Sequence, residues 1–215
     1  TCDAALTTMT QTLSFAVDPD AEETARAELY GLLAALWIAP PDQALLDQFR
    51  AAVTEAPQPG GHLEAPWQDL VAAMRDTSVT AAREEFDALF GGVGKPEVFP
   101  YGSWHIAGAL NDKPLARLRE DLAALGLARD ETRIETEDHV SVEFEVMRWL
   151  IAGDDAGVCN LEQQRRFYRQ HVQPWLPGLC EAVMAQPGAR LWAAVAAFTA
   201  AFIDVETQGF DLLET

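Results

Sequence analysis

The sequence predicts an all-α fold, and three observations indicate it. Apolar residues recur at helical spacing along most of the chain, while the alternation typical of strands is almost absent. Prolines and glycines stand where these stretches begin or end, as at Pro40, Pro114 and Gly126. Hydrophobic residues make up 49% of the 215 residues, which is enough to bury a core within one domain. We therefore expect a compact single domain over residues 1–215, with about nine helices and a tail over about residues 1–19.

Each helix can be placed from its apolar spacing and its flanking residues. Asp20 can cap a first helix that runs to about Ala39, before the pair Pro40-Pro41. The later helices are predicted from apolar residues three and four apart. They begin near Asp42, Trp67, Thr80, Pro114, Glu137, Leu161, Pro177 and Leu191. The stretch 91–102 contains four glycines and two prolines, and it is predicted to be an irregular hinge.

The charge balance restricts the class of partner. The net charge is −19, from 34 acidic and 15 basic residues. Nucleic acid and anionic membrane surfaces are not expected as partners, because both require clustered Lys and Arg. A strongly acidic surface favours a basic partner, although acidity also serves solubility alone.

The sequence also predicts a cytoplasmic protein without a membrane anchor. It contains no uncharged apolar stretch of the length that crosses a bilayer, and residues 1–16 lack the pattern of a secretion signal. The three cysteines, Cys2, Cys159 and Cys180, are too far apart for a disulfide framework or a cysteine zinc site. Reduced thiols in a cytoplasm fit this pattern.

No motif of nucleotide-dependent or hydrolytic enzymes is present, so we expect a protein that is not an enzyme. One alternative stays open. Asp138, His139 and Glu143 lie close together in sequence, and His139 and Glu143 are one helical turn apart, so they could hold a metal in a small helical enzyme. The other interpretation of His139 is a capped helix start. His171 shares a helix face with Phe167 and Trp175 and is predicted to be a core residue.

Two motifs carry a family resemblance. Residues 85–104 contain Phe-x-x-Leu-Phe, then Gly-x-Gly-x-Pro, then Pro-Tyr-x-Ser, and residues 135–139 read Glu-Thr-Glu-Asp-His. Together they resemble the TorD/DmsD/NarJ family of redox-enzyme maturation chaperones, over about residues 25–205 of this chain. Thr136 stands where that family usually has proline.

The resemblance implies an all-helical chaperone that binds the twin-arginine signal peptide, or leader, of a molybdopterin oxidoreductase. Such a chaperone holds its client in the cytoplasm until cofactor insertion and export. Carried over position by position, the family's leader site falls on nine residues. These are Phe86, Leu89, Phe90, Pro100, Tyr101, Trp104, Glu135, Asp138 and His139.

The resemblance also bears on cofactors, partners and assembly. No cofactor is expected, and weak binding of guanine nucleotide or molybdopterin guanine dinucleotide is implied by the resemblance alone. The expected partner is the leader of a catalytic subunit, with no nucleic acid and no stable membrane insertion, and the protein is expected to be a monomer or a homodimer. The remaining alternative to leader binding is an acidic interaction scaffold.

A physical mechanism follows from the chemistry of such a leader, which has a basic start and an apolar middle. Carboxylates such as Glu135 and Asp138 can pair with arginine forks. Aromatic side chains such as Tyr101 and Trp104 can line a groove for the apolar part. We expect Asp138 and His139 to be the polar anchor.

Overall fold

Helices account for almost all regular structure in this protein. The computed structural model describes residues 19–51, 61–91, 95–130 and 132–213, and ten α-helices and one π-helical segment lie within them. In chain order the α-helices are α1 Pro19–Ile38, α2 Gln43–Ala51, α3 Glu64–Asp76, α4 Val79–Phe90, α5 Gly102–Ala107, α6 Lys113–Ala124, α7 Val140–Ala152, α8 Leu161–Phe167, α9 Leu176–Met184 and α10 Leu191–Leu212. The π-helical segment is Tyr168–Val172. The predicted all-α fold is confirmed.

Three long helices, α1, α7 and α10, meet around Tyr30. Its ring packs edge-on against Phe144 and Phe202, with centroid distances of 5.5 and 4.8 Å. Its hydroxyl donates a hydrogen bond of 3.0 Å to Glu206, which also accepts bonds of 2.9 and 2.8 Å from the Arg26 guanidinium. A buried carboxylate is tolerated when it is paired in this way. The network therefore fixes α1 against α10 inside the apolar core.

A carboxylate from α4 caps the start of α10. The backbone N–H groups of Arg190, Leu191 and Trp192 all donate to Glu85, over 2.8, 3.1 and 2.8 Å. The first N–H groups of a helix have no partner inside it, and Arg190 supplies no side-chain cap. Glu85 is therefore a cap provided by another helix, and its negative charge suits the positive end of α10.

Three tryptophans contribute to the core. Trp37 and Trp192 are fully buried, and Trp37 donates its indole N–H to Thr199 over 3.1 Å. Trp149 is half-buried and packs against the core from α7. These rings therefore pack α1, α7 and α10 against one common core.

Several boundaries differ from the prediction. The described residues contain more α-helices than were expected, because Gly102–Ala107 forms the short helix α5 at the end of the predicted hinge. The helix predicted to begin near Leu161 is not α-helical throughout, since α8 widens into the π-helical segment before Pro174. The first helix begins at Pro19, so Asp20 lies inside it.

The start of α7 also needs correction. The helix begins at Val140, because His139 caps it, so Glu137 and Asp138 lie in the preceding turn and outside the helix. Two expectations fall partly outside the described residues, namely the hinge at 92–94 and the tail at 1–18. None of the described helices combines the length and the apolar character needed to cross a bilayer.

Candidate functional site

The backbone joins the two motifs that the sequence singled out. Tyr101 and His139 form an antiparallel bridge. The N–H of Gly102 donates to the carbonyl of Asp138 over 2.8 Å, and the N–H of Val140 donates to the carbonyl of Pro100 over 3.0 Å. The segment that enters α5 therefore lies alongside the segment that enters α7, and residues distant in sequence form one site.

Asp138 holds this junction together through its side chain. Its Oδ2 accepts the backbone N–H of Ser103 over 2.9 Å, and its Oδ1 accepts the hydroxyl of Thr136 over 2.6 Å. The side chain is 2% exposed. Both carboxylate oxygens thus have partners, and one partner is a free N–H in the first turn of α5. The threonine that replaces the family's proline at position 136 supplies the other.

His139 is buried and neutral at physiological pH. Burial lowers its pKa to about 4, against the opposing charges of Glu135 and Asp138. Its Nδ1 accepts the backbone N–H of Ser141 over 3.2 Å, and this bond caps α7. The ring packs edge-on against Tyr101, whose hydroxyl donates to Glu135. His139 is therefore a helix cap as well as a member of the joined motifs.

A second polar network centres on Trp175. Its indole N–H donates to Glu143 over 3.0 Å and to the carbonyl of His171 over 2.6 Å. The ring of His171 donates in turn to Asp121 over 2.8 Å, and burial lowers the pKa of this imidazole against the raising effect of that carboxylate. His171 is buried as predicted, and it connects the π-helical segment to α6.

A cleft of about 430 Å³ opens between α5, α6, the π-helical segment and the start of α7. Its lining combines carboxyl groups with apolar side chains. The carboxyl groups belong to Glu120, Asp121, Asp138 and Glu143, and the apolar side chains to Ile106, Pro114, Leu118 and Pro174. Ile106 is 49% exposed at its edge. Of the nine predicted site residues, Asp138 is the one that belongs to the described lining of this cleft.

The aromatic part of the predicted site lies close to the junction. Trp104 packs against Phe99, with ring centroids 4.4 Å apart, and the ammonium group of Lys95 lies 5.5 Å from the Trp104 ring centre. His105 donates to the carbonyl of Phe99 over 2.9 Å and stacks on Trp175. Trp104 is half-buried, so it leaves part of its ring at the surface beside α5.

Phe86, Leu89 and Phe90 lie in a different environment, on the inner face of α4. The rings of Phe86 and Phe90 pack against Trp192 at 5.2 and 6.1 Å, and Phe90 also contacts Trp37 at 5.8 Å. Leu89 is buried. The junction is linked to these residues by the backbone, because the N–H of Val98 donates to the Leu89 carbonyl over 3.0 Å. Pro100 is also buried.

Within the described part of the chain, no three His, Cys, Asp or Glu side chains are grouped so that they could hold a metal ion. The geometry of His139 and Glu143, which the sequence offered as metal ligands, explains this absence. His139 directs Nδ1 to the backbone of Ser141, whereas Glu143 directs Oε2 to Trp175. The two side chains are thus engaged with different partners.

Sequence reasoning did not find the α6 side of the cleft. Asp121, Glu120 and Leu118 line it, yet they lie on a helix that carries no recognisable motif. Glu143 was noticed only as a metal ligand. The sequence did contain one indication of the α6 side. His171 shares an apolar helix face with Phe167 and Trp175, and a buried histidine there requires a polar partner, which is Asp121 on α6.

Comparisons with known proteins identify relatives of this chain. The family model described as nitrate reductase delta subunit matches residues 57–181, which is more than half of the chain. A chaperone protein TorD from Vibrio cholerae serotype O1 is 29% identical over 136 residues, and the match covers 60% of this chain and 62% of that relative's length. A TorD from Vibrio atlanticus is 25% identical over 208 residues, covering 89% of this chain and 97% of the relative.

A solved structure shares the fold. It is described as a redox enzyme maturation protein from Archaeoglobus fulgidus, with a TM-score of 0.54 at 18% identity, and the match covers 85% of this chain and 93% of that one. At this identity the likeness concerns the fold alone. The matched model covers both of the joined motifs, and the resemblance seen in the sequence is confirmed: this chain belongs to the nitrate reductase delta subunit family, which includes the TorD and NarJ proteins.

Proposed function

We propose that this protein is a cytoplasmic maturation chaperone, without enzymatic activity, that binds the twin-arginine leader of a molybdopterin oxidoreductase. It holds the leader until the cofactor has been inserted into the client. Membership of the nitrate reductase delta subunit family and the TorD relatives support the chaperone role.

The observation that carries leader binding is the composition of the cleft beside the joined motifs. Glu120 and Asp121, the carboxyl groups of the lining that are not buried, can meet a basic segment beside Arg117, and the exposed part of Ile106 offers apolar surface to the segment that follows. A twin-arginine leader presents these two chemistries in sequence. The net charge of −19 attracts such a peptide from a distance and thereby raises the rate of encounter.

The predicted site residues take different parts in this proposal. Trp104 and Glu135 are partly exposed and can contact the leader directly. Asp138, His139 and Tyr101 hold the wall of the cleft through the bonds described above. Phe86, Leu89 and Phe90 pack in the core, where Leu89 is linked to the joined motifs through Val98, and the carbonyl of Pro100 accepts the N–H of Val140. The leader therefore contacts a surface that the joined motifs position.

Calorimetric titration with a synthetic leader tests the proposal. A complex of about 1 μM, near 8 kcal/mol, would let a chaperone release its client. We expect a leader with Lys-Lys in place of Arg-Arg to bind at least about tenfold more weakly, because lysine cannot form the two parallel bonds of a guanidinium. Equal affinity for the two leaders would contradict specific leader recognition and would favour the alternative, an acidic interaction scaffold.

A further inference from the structure

Glu143 is a buried carboxyl group with one unoccupied oxygen. It lies in the first turn of α7 and is 2% exposed. Its Oε2 accepts the indole N–H of Trp175 over 3.0 Å, whereas its Oε1 makes no hydrogen bond within the ranges that the structure describes. Because Glu143 belongs to the lining of the cleft, this free oxygen is available to a molecule that enters it.

Gly102 packs closely beside this oxygen. A Cβ atom at position 102 would lie 3.4 Å from Glu143 Oε1 and 3.2 Å from the indole of Trp175. The second distance is shorter than an ordinary van der Waals contact, so a larger residue would press against Trp175 and Glu143. The glycine therefore lets the start of α5 pack against Glu143 where both residues line the cleft.

The surroundings of Glu143 favour its protonated form. Burial raises the pKa of this carboxyl well above its ordinary value, the nearby charge of Asp138 raises it further, and the bond from Trp175 opposes the shift only in part. The carboxyl therefore keeps its proton to a higher pH than an exposed glutamate does. A neutral group in an acidic cleft avoids repulsion with its neighbours until a cation arrives.

Other titratable and charged groups surround the cleft. They are Asp138 in the preceding turn, Arg117, Glu120 and Asp121 on α6, Arg166 on α8 paired with Asp121, His171 in the π-helical segment, His105 on α5 and His139 at the start of α7. Burial lowers the pKa of all three imidazoles, so they are neutral from pH 7 upward. Glu143 differs from these imidazoles, because burial raises the pKa of its carboxyl group.

We propose that Glu143 is the subsite for one leader guanidinium and that it releases its proton when the guanidinium binds. This inference rests on the proposed function. The bond between the carboxyl oxygen and its hydrogen breaks, the proton passes to the solvent buffer, and the carboxylate pairs with the arginine. Asp138 and Asp121 keep their own partners, since the oxygens of Asp121 are bonded to His171 and Arg166. Leader binding is therefore coupled to pH.

The direction of the coupling follows from the release of a proton. Affinity rises with pH as long as Glu143 is protonated in the empty protein, by up to about tenfold per pH unit. Calorimetry of the native protein at pH 7, in two buffers with different ionisation enthalpies, should show close to one proton released per leader bound. This measurement needs no variant.

Glu143→Gln provides the matched test, because the glutamine carbonyl can still accept the bond from Trp175 but cannot ionise. We expect about tenfold weaker leader binding at pH 7, no proton release and no rise in affinity up to pH 8.5. Glu28→Gln, an exposed carboxylate on α1, should behave as the native protein does.

The possible failures are distinguishable. Native binding without proton release, or a Glu143→Gln variant that matches the native protein in affinity and pH dependence, would overturn the role of Glu143 and leave leader binding intact. A native protein that does not distinguish Arg-Arg from Lys-Lys leaders would instead overturn the proposed function.

Discussion

The carboxylate of Asp138 accepts the backbone N–H of Ser103 over 2.9 Å, and this bond ties the start of α5 to the turn before α7. Replacing Asp138 with alanine leaves that buried N–H and the half-buried Thr136 hydroxyl without their acceptor. We expect a loss of about 2–3 kcal/mol in the free energy of unfolding. Urea denaturation followed by circular dichroism measures this loss.

Asp138→Asn is the matched control for this substitution. The asparagine carbonyl can accept from Ser103, and its amide can donate to the Thr136 hydroxyl, so we expect a loss below about 1 kcal/mol. If alanine and asparagine destabilised the protein equally, the hydrogen bonds would not be the reason for the burial of Asp138.

His139 makes stability depend on pH in the acidic range. Its pKa is about 4 in the folded protein, because of burial, and near 6.5 when exposed. Between these values the unfolded chain binds a proton that the folded protein does not, so stability falls as pH falls from 6.5 toward 4. The contribution is about 3 kcal/mol over that interval.

A His139→Asn variant isolates this effect, because asparagine can cap α7 without titrating. Other carboxylates also titrate in this range, so the informative quantity is the difference between variant and native unfolding free energies at pH 6.5 and at pH 4.5. We expect the difference to shift in favour of the variant at the lower pH. A difference that stays constant would mean that His139 is charged in the folded protein.

The sequence specifies local features of this fold better than it specifies the site. Pro40 and Pro41 follow the end of α1, and Asp112 and Pro114 mark the start of α6, because capping and missing N–H groups act within a few residues. The short α5 could not be predicted in this way. Its first turn is held by Asp138, a residue distant in sequence.

The same reasoning applies to the candidate site. The two motifs contain Tyr101 and His139, and the structure joins these residues in one bridge. Glu143 next to Gly102 could not be found from spacing, since their proximity depends on how α5 packs beside α7 and Trp175. Helical periodicity places a residue on a face, whereas the partner of that face is set by tertiary packing.

Glu85 should contribute to stability through the start of α10. Glu85→Ala leaves three N–H groups without their acceptor, and we expect a loss of about 2 kcal/mol. Glu84, the exposed neighbour on α4, offers the comparison, since Glu84→Ala should change the unfolding free energy by less than about 0.5 kcal/mol. Thermal and urea unfolding of the two variants would show whether the cap from α4 stabilises α10; equal effects would refute it.

Ile106 should contribute to leader affinity without contributing to stability. The side chain lies at the edge of the cleft and is 49% exposed, so it packs little in the free protein but can be covered by the apolar part of a leader. Losing that contact should cost about 1–2 kcal/mol of binding free energy, which is about tenfold in affinity. Leu110 is 41% exposed and lies outside this cleft, so Leu110→Ser is the matched control for Ile106→Ser. Calorimetry should show weaker leader binding for Ile106→Ser alone, with both melting temperatures unchanged. Should the two variants bind the leader equally well, the apolar segment must lie on another surface, and the exposed edge of Trp104 would be the next surface to test.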